Sequence, residues 1–174
     1  TVTGFAVSSK NEITRVLKES GVKGGFAVHL GATDGSVTAA LKPSDSYQVH
    51  ALATDASALD GLREGIRKAV GSYGTVSADI LRGNHLPYID NMVNLLVAED
   101  LKGVPMAEVM RVLAPKGIAY LKRGDQWKTT VKPRPKDIDE WTPYLHDAGG
   151  NAVAHDKQVG PPRHLQWLGS PRWS

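Results

Sequence analysis

Apolar residues along the first 121 positions fall into two rhythms, and these alternate. Ile13, Val16 and Leu17 recur at helical spacing between Lys10 and Ser20, with Ser9 or Asn11 to cap and Gly21 to stop, which predicts an amphipathic helix. Gly25–Leu30 is an apolar run of strand length that leads into Gly31-Ala-Thr-Asp-Gly35 and a helical stretch over 36–41, stopped by Pro43. Tyr47–Ala53 reads as a second strand ending at Thr54-Asp55, and a helix follows over 57–70 with Leu59, Leu62, Ile66 and Val70 on one face. Strands are predicted over 75–80, 92–98 and 118–121, with a helix over 106–113 before the last of them. Strands that are almost continuously apolar and alternate with helices predict a parallel sheet buried on both faces. The expected fold class is α/β, doubly wound.

Composition narrows the function classes. The 174 residues contain no Cys, which excludes a disulfide scaffold, a thiol nucleophile and thiolate metal sites. No apolar run approaches the roughly 20 residues a membrane helix requires, so no membrane span is expected. Residues 1–121 carry 12 Lys and Arg against 12 Asp and Glu, whereas residues 122–174 carry 9 against 6, so the net charge of +3 lies wholly in the tail. A neutral body lacks the clustered positive charge that nucleic-acid binding requires, and no nucleic-acid partner is expected. All four Trp and six of the ten Pro also fall in the tail. Two regions are therefore expected, a globular domain over 1–124 and a Pro/Trp-rich extension over 125–174.

Ligands of doubly wound sheets bind beyond the carboxyl ends of the strands, where the strand order switches. The glycine turn Gly31–Gly35 closes the first predicted strand, Asp55 the second, and Glu99-Asp100 the fourth. Asp55 lies 24 residues after Gly31, near the spacing at which an acid holds a ribose in dinucleotide folds. Asp34 discriminates between ligands. Its carboxylate would repel a pyrophosphate laid over the turn but attract a sulfonium and an ammonium. That argues against a nicotinamide-dependent oxidoreductase. The same residue also suits the cap of the helix that follows.

With these residues in place, Val28-His-Leu-Gly-Ala-Thr-Asp-Gly35 resembles the first motif of class I S-adenosylmethionine-dependent methyltransferases. Leu52-Ala-Thr-Asp55 resembles their second-strand acid, Leu86-Pro-Tyr-Ile-Asp-Asn91 the stretch before their fourth strand, and Met110-Arg-Val-Leu-Ala-Pro-Lys-Gly117 the turn before their fifth. The four motifs stand in the family's order over about residues 10–122. The resemblance implies a Rossmann-like sheet and S-adenosylmethionine as cofactor. By the same resemblance Gly31, Ala32, Thr33, Asp34 and Gly35 line its methionine and ribose end, Asp55 holds the ribose hydroxyls, and Asp79 and Ile80 flank the adenine. Thr33 stands at the family's middle glycine, and His29 replaces the usual acid near the cofactor's amino group. No Asn-Pro-Pro-Tyr signature follows the fourth strand, so the acceptor is unspecified and the catalytic residues are unknown; Glu99, Asp100 and His85 are the candidate bases. These departures sustain an alternative, a non-catalytic module that keeps the fold for docking.

The tail resembles the lead-in to quinoprotein-like β-propellers through Glu140-Trp-Thr-Pro-Tyr-Leu-His-Asp147, Val159-Gly-Pro-Pro-Arg-His-Leu-Gln-Trp167 and Gly169-Ser-Pro-Arg-Trp173. The resemblance implies the N-terminal piece of a larger protein, whose propeller or partner subunit would take up the Trp residues. An extracytoplasmic location follows as an expectation, with the cytoplasm as the alternative. His146-Asp147 and His155-Asp156 are metal-capable types, but two such pairs in coil fix no geometry, and no metal is expected.

Overall fold

The computed structural model describes residues 10–124, 126–140, 146, 148–150 and 153–157. They form helices α1 (Lys10–Ser20), α2 (Gly35–Ala39), α3 (Leu59–Val70) and α4 (Met106–Val112), and strands β1 (Gly25–Leu30), β2 (Tyr47–Ala53), β3 (Val76–Ile80), β4 (Val93–Ala98), β5 (Leu113–Arg123) and β6 (Gln126–Val131). A 3-10 turn at Ala56–Ala58 precedes α3. The strands make one six-stranded sheet in the order β3-β2-β1-β4-β5-β6. Every pairing is parallel except that of β5 with β6. This is a Rossmann-like doubly wound sheet, as the apolar strands predict. β5 runs well beyond the expected 118–121, because Leu113 already pairs with Val93 across an irregularity in β4.

Alternation along the central strands sends side chains to two cores. Ala27, Val49, Ala51, Leu95 and Val97 pack with Ile13, Val16, Leu62 and Ile66 under α1, α2 and α3. Val28, Leu30, Leu52, Leu96 and Ala98 pack on the other face with Leu86, Tyr88, Val109 and Val112. β1, β2 and β4 are buried on both sides, which is why they read as continuous apolar runs.

The second face is covered sparingly. Between β3 and β4 the connection 81–92 contains no helix, and it lays Leu81, Leu86 and Tyr88 on the sheet. A charged clamp holds it to α4. Arg111 donates from Nε to Glu108 Oε2 at 2.8 Å and from Nη2 to Glu108 Oε1 at 2.7 Å. Its Nη1 donates to Asp90 Oδ1 at 2.6 Å and its Nη2 to the Leu86 carbonyl at 3.2 Å. Glu108 Oε1 also accepts the Leu86 N–H at 2.7 Å and pairs with His85 Nδ1 at 2.9 Å. The fork of Arg111 meets a nearly buried carboxylate in a bidentate arrangement, the strong form of such a pair.

The chain divides into two compact units, 1–133 and 134–174. The first extends past the expected limit at 124 because β6 completes its sheet. Trp127 of β6 belongs to that sheet, 6.4 Å from the Tyr120 ring and 5.7 Å from Lys122 Nζ, and is thereby removed from the residues expected to dock elsewhere. Trp141, Trp167 and Trp173 lie outside the described residues, as do residues 158–174 around the last two.

The Arg111 hydrogen bonds push the Glu108 carboxyl down to about 2, against the desolvation that opposes them. Stability from this pair is therefore complete above about pH 4.5, the ordinary glutamate value, and is lost as the pH falls from there towards 2. Glu108→Ala is expected to cost about 3 kcal/mol near neutrality, since it strands the Arg111 guanidinium and the Leu86 N–H. In urea denaturation the gap between wild type and Glu108→Gln narrows below pH 4.5.

Candidate cofactor site

β1 and β4 are adjacent at the centre of the sheet, and the chain leaves them in opposite directions along the strand order. Their carboxyl ends are the switch point, and there the glycine turn sits. Gly31 has φ +75, a left-handed conformation that favours glycine. Its N–H and that of Ala32 both donate to the Leu52 carbonyl, at 2.8 and 3.2 Å, which ties the turn to β2.

The five turn residues differ in exposure. Thr33 and Asp34 are exposed, Gly31 is half-buried, and Ala32 and Gly35 are buried. Asp34 caps α2, accepting from the Ser36 and Val37 N–H groups at 2.7 and 3.4 Å. Burial opposes its ionisation, but hydrogen bonds from Ser36 and Val37 outweigh burial and hold the carboxyl below the usual aspartate value. Gly35 has a packing reason for its identity. A Cβ there would stand 2.4 Å from the Leu62 carbonyl oxygen and 2.4 Å from the Ile66 nitrogen, while Gly65 faces it from α3 with an added Cβ 3.2 Å from the Gly35 Cα. Two glycines thus let α2 and α3 meet backbone to backbone.

Asp55 lies at the end of β2 as expected, exposed, with Oδ1 accepting from the Ser57 N–H at 2.9 Å and the Ser57 hydroxyl at 2.8 Å. These bonds hold its carboxyl below the usual value. Both hydrogen bonds fall on one oxygen, leaving Oδ2 facing solvent. Asp79 and Ile80 end β3, but the strand turns them to opposite sides. Ile80 packs on the first core, while exposed Asp79 accepts from the Ile80 N–H at 2.8 Å and bears electrostatically on His50 and Tyr88.

His29 is buried beneath the turn. Its Nδ1 lies 2.9 Å from Thr38 Oγ1, and that hydroxyl donates its own proton to the Asp34 carbonyl at 3.0 Å. His29 Nδ1 must therefore carry a hydrogen and donate, which leaves Nε2 as an acceptor. Burial pushes its pKa down to about 4, although Glu99 and Asp34 pull the other way. At neutral pH it is an uncharged imidazole. Of the three candidate bases, Glu99 and Asp100 stand beside the glycine turn, whereas His85 belongs to the clamp on α4.

Lys102 escaped the sequence reading. It crosses the turn so closely that a Cβ on Gly31 would lie 3.3 Å from its Cε and 3.6 Å from the Asp100 carbonyl oxygen. Nζ pairs with Asp100 Oδ2 at 3.2 Å, and the Lys102 N–H donates to Asp100 Oδ1 at 3.0 Å. Lys102 and Gly103 both have positive φ, 53 and 83. The signal was the Lys-Gly pair one residue after two acids at a strand end, with its glycine marking a reversing turn.

A scan against protein-family models gives no match, and no curated protein matches the sequence. Solved structures do match in fold. An S-adenosyl-L-methionine-dependent methyltransferase assignment from Methanococcus maripaludis superposes with a TM-score of 0.54 at 17% identity, covering 64% of this chain and 53% of that one. Geranyl diphosphate C-methyltransferase from Streptomyces coelicolor A3(2), in complex with Mg2+, geranyl diphosphate and S-adenosyl-L-homocysteine, gives 0.54 at 13% identity over 64% and 44%. The 4+2 cyclase SpnF gives 0.56 at 18% over 64% and 43%. The chain thus has the fold of class I S-adenosylmethionine-dependent methyltransferases and spans about half the length of these structures.

Two substitutions separate packing from ligand approach. Gly35→Ala forces the α3 backbone apart and is expected to unfold the domain or lower its melting temperature steeply, with or without ligand. His29 supports the fold above its unfolded value of 6.5, and that support is lost as the pH falls towards about 4. Between pH 6.5 and 5 the loss is about 2 kcal/mol, and His29→Asn is expected to remove it from the stability profile measured in urea.

Proposed function

We propose that the domain binds S-adenosylmethionine at the carboxyl ends of β1, β2 and β4 and acts as a methyltransferase-like module. One observation carries this reading: the left-handed Gly31 turn sits at the β1/β4 switch point with the free Oδ2 of Asp55 at the neighbouring strand end. In this arrangement Asp55 Oδ2 accepts from the ribose hydroxyls, and the exposed backbone around Thr33 and Asp34 meets the methionine end. The His29 Nε2 lone pair accepts from an ammonium where the family has an acid. Methyl transfer requires mainly that donor and acceptor be aligned, and Glu99 and Asp100 are the groups placed to take a proton if the acceptor must lose one. Asp79 and Ile80 take the two sides of the adenine under this reading.

A second reading rests on Lys102. Its stem covers Gly31 and its ammonium is held by Asp100, so the cofactor enters only if that pair opens. Gly35, moreover, is accounted for by α3. On this reading the sheet is a docking module that keeps the fold without the reaction. The Pro/Trp-rich segment 134–174 is then the lead-in to a β-propeller or partner subunit, in an extracytoplasmic protein.

Calorimetric titration with S-adenosylhomocysteine separates the two. Micromolar binding that Asp55→Ala weakens at least tenfold, and that Lys102→Ala strengthens, is expected of a cofactor site. Absence of binding at millimolar ligand in both wild type and Lys102→Ala removes the first reading and leaves the docking module.

A further inference from the structure

The second unit holds a side-chain cluster that the methyltransferase reading does not use. Asp139, His146 and His155 each offer one ligand-type atom, and these atoms all lie within 4.8 Å of one another. The sequence pairs each histidine with the aspartate that follows it. The structure instead gives both histidines the same distant carboxylate. His146 Nε2 donates to Asp139 Oδ2 at 2.5 Å, and His155 Nδ1 lies 3.5 Å from the same oxygen. The two imidazole rings stand 5.0 Å apart, edge to face.

A hydrogen-bonded loop hub does not need this arrangement. The backbone N–H of His155 already donates to Asp139 Oδ2 at 2.6 Å, a bond that any residue but proline would make. Its side chain is 70% exposed, yet it aims Nδ1 at the carboxylate from beyond bonding distance. Outer support for Asp139 is also complete. Its Oδ1 accepts from the Glu140 N–H at 2.8 Å, and its own N–H donates to Asp156 Oδ1 at 2.5 Å. A fixed carboxylate with two converging imidazoles is a ligand set with an oriented outer shell.

We propose that Asp139, His146 and His155 bind a divalent transition-metal ion, with zinc the best match. Donors bonded to zinc at about 2.0–2.1 Å stand about 3.3 Å from one another. Reaching that geometry requires the His146–Asp139 contact to open by about 0.8 Å and the widest pair of donors, within 4.8 Å of one another, to close by up to about 1.5 Å, both within reach of side-chain rotation. His146 gives up its Nε2 hydrogen and keeps one on Nδ1, so it ligates as a neutral imidazole. Calcium and magnesium are disfavoured because two of the three donors are nitrogen. His146 and Asp139 lie inward and His155 outward, so the remaining coordination positions face solvent and take water. The ion would tie position 139 to positions 146 and 155.

The test is titration of the full 174-residue chain with zinc chloride, with cobalt(II) as the optical probe. One ion per chain at micromolar affinity or tighter is expected, with visible cobalt bands of a low-coordinate nitrogen and oxygen site. His155→Ala removes one ligand and keeps the backbone hydrogen bond, so it is expected to weaken binding at least tenfold, the lower end of what even an outer partner costs, with the circular dichroism unchanged. Asp139→Asn is expected to weaken it further, and His85→Ala at the α4 clamp to leave it unaltered. Absence of stoichiometric binding, or binding that His155→Ala and Asp139→Asn both spare, overturns the proposal. Loss confined to His85→Ala assigns the ion to the Glu108 clamp and overturns it equally.

Discussion

A parallel sheet survives only when both of its faces are covered, and in this chain the second face depends on one ion pair. Three helices cover the first face. The second has the seven residues of α4 and a connection without a helix. Such a connection brings backbone donors and acceptors with no helix to satisfy them. Glu108 and Arg111 solve that problem from one turn of α4, taking the Leu86 N–H and C=O on one side and Asp90 on the other. Lys132 extends the same fastening by donating to Asn91 Oδ1 at 2.7 Å and the Arg111 carbonyl at 3.3 Å. Leu86 and Tyr88 then stay on the sheet, where Phe26 meets the Tyr88 ring edge at 5.4 Å and His50 Nδ1 shares a 2.8 Å hydrogen bond with its hydroxyl. With that face closed, β1 and β4 are buried on both sides.

The bounds of α1, β1 and β2 were legible because strong local signals agreed: helical spacing ended by glycine in the first, uninterrupted apolar runs in the others. β5 was underestimated because Ala114, Pro115, Lys116 and Gly117 read as a turn. The structure joins that stretch to the sheet through Leu113, with Lys116 at φ 66 and the Lys116 N–H donating to the Lys132 carbonyl at 2.9 Å. The site was legible in outline only. Gly31, Asp34 and Asp55 stand at the strand ends where they were expected, but a position in sequence does not say which neighbour claims a residue. Gly35 answers to Gly65 on α3, and the signal was a second glycine inside a helix, a place where glycine is otherwise costly. Likewise the histidines of the tail were paired with Asp147 and Asp156 by adjacency, while the fold gives both to Asp139.

Fold and chemistry separate at this site. A geranyl diphosphate C-methyltransferase and a 4+2 cyclase both superpose on this chain, so the sheet alone does not assign methyl transfer. Local chemistry has to decide. Three acids of the turn region have a structural partner, Asp34 with α2, Asp55 with Ser57 and Asp100 with Lys102. A cap leaves a carboxylate ionised and partly available, so Asp34 and Asp55 can serve both the helix and a ligand. Asp100 is different, because its partner is a cation lying across the one glycine whose backbone a ligand must approach. Opening that pair costs little, as exposed ion pairs contribute at most about 1 kcal/mol. An entering ligand would have to displace Lys102, and its contacts would have to exceed that small cost together with the freedom lost on binding.

The neutral His29 sharpens that balance. An acid at its position would attract an ammonium through charge; a buried imidazole with its Nδ1 hydrogen fixed on Thr38 offers only a lone pair. A hydrogen bond to a charged group contributes about 1.5–3 kcal/mol, less than the same bond joined to a full opposite charge at short range. Glu99 supplies part of the missing field, since it already bears on His29 from the end of β4. The negative charge that bears on His29 thus comes from Glu99, just after β4, and from Asp34, not from β1 itself. A sulfonium or ammonium over Gly31 would then be held by field from Glu99 and Asp34 and oriented by His29 Nε2. A ligand lacking positive charge would gain nothing from Glu99 and Asp34, while the Lys102 ammonium beside Gly31 opposes a cation until its pair with Asp100 opens, so the turn would favour a positively charged ligand only once Lys102 is displaced.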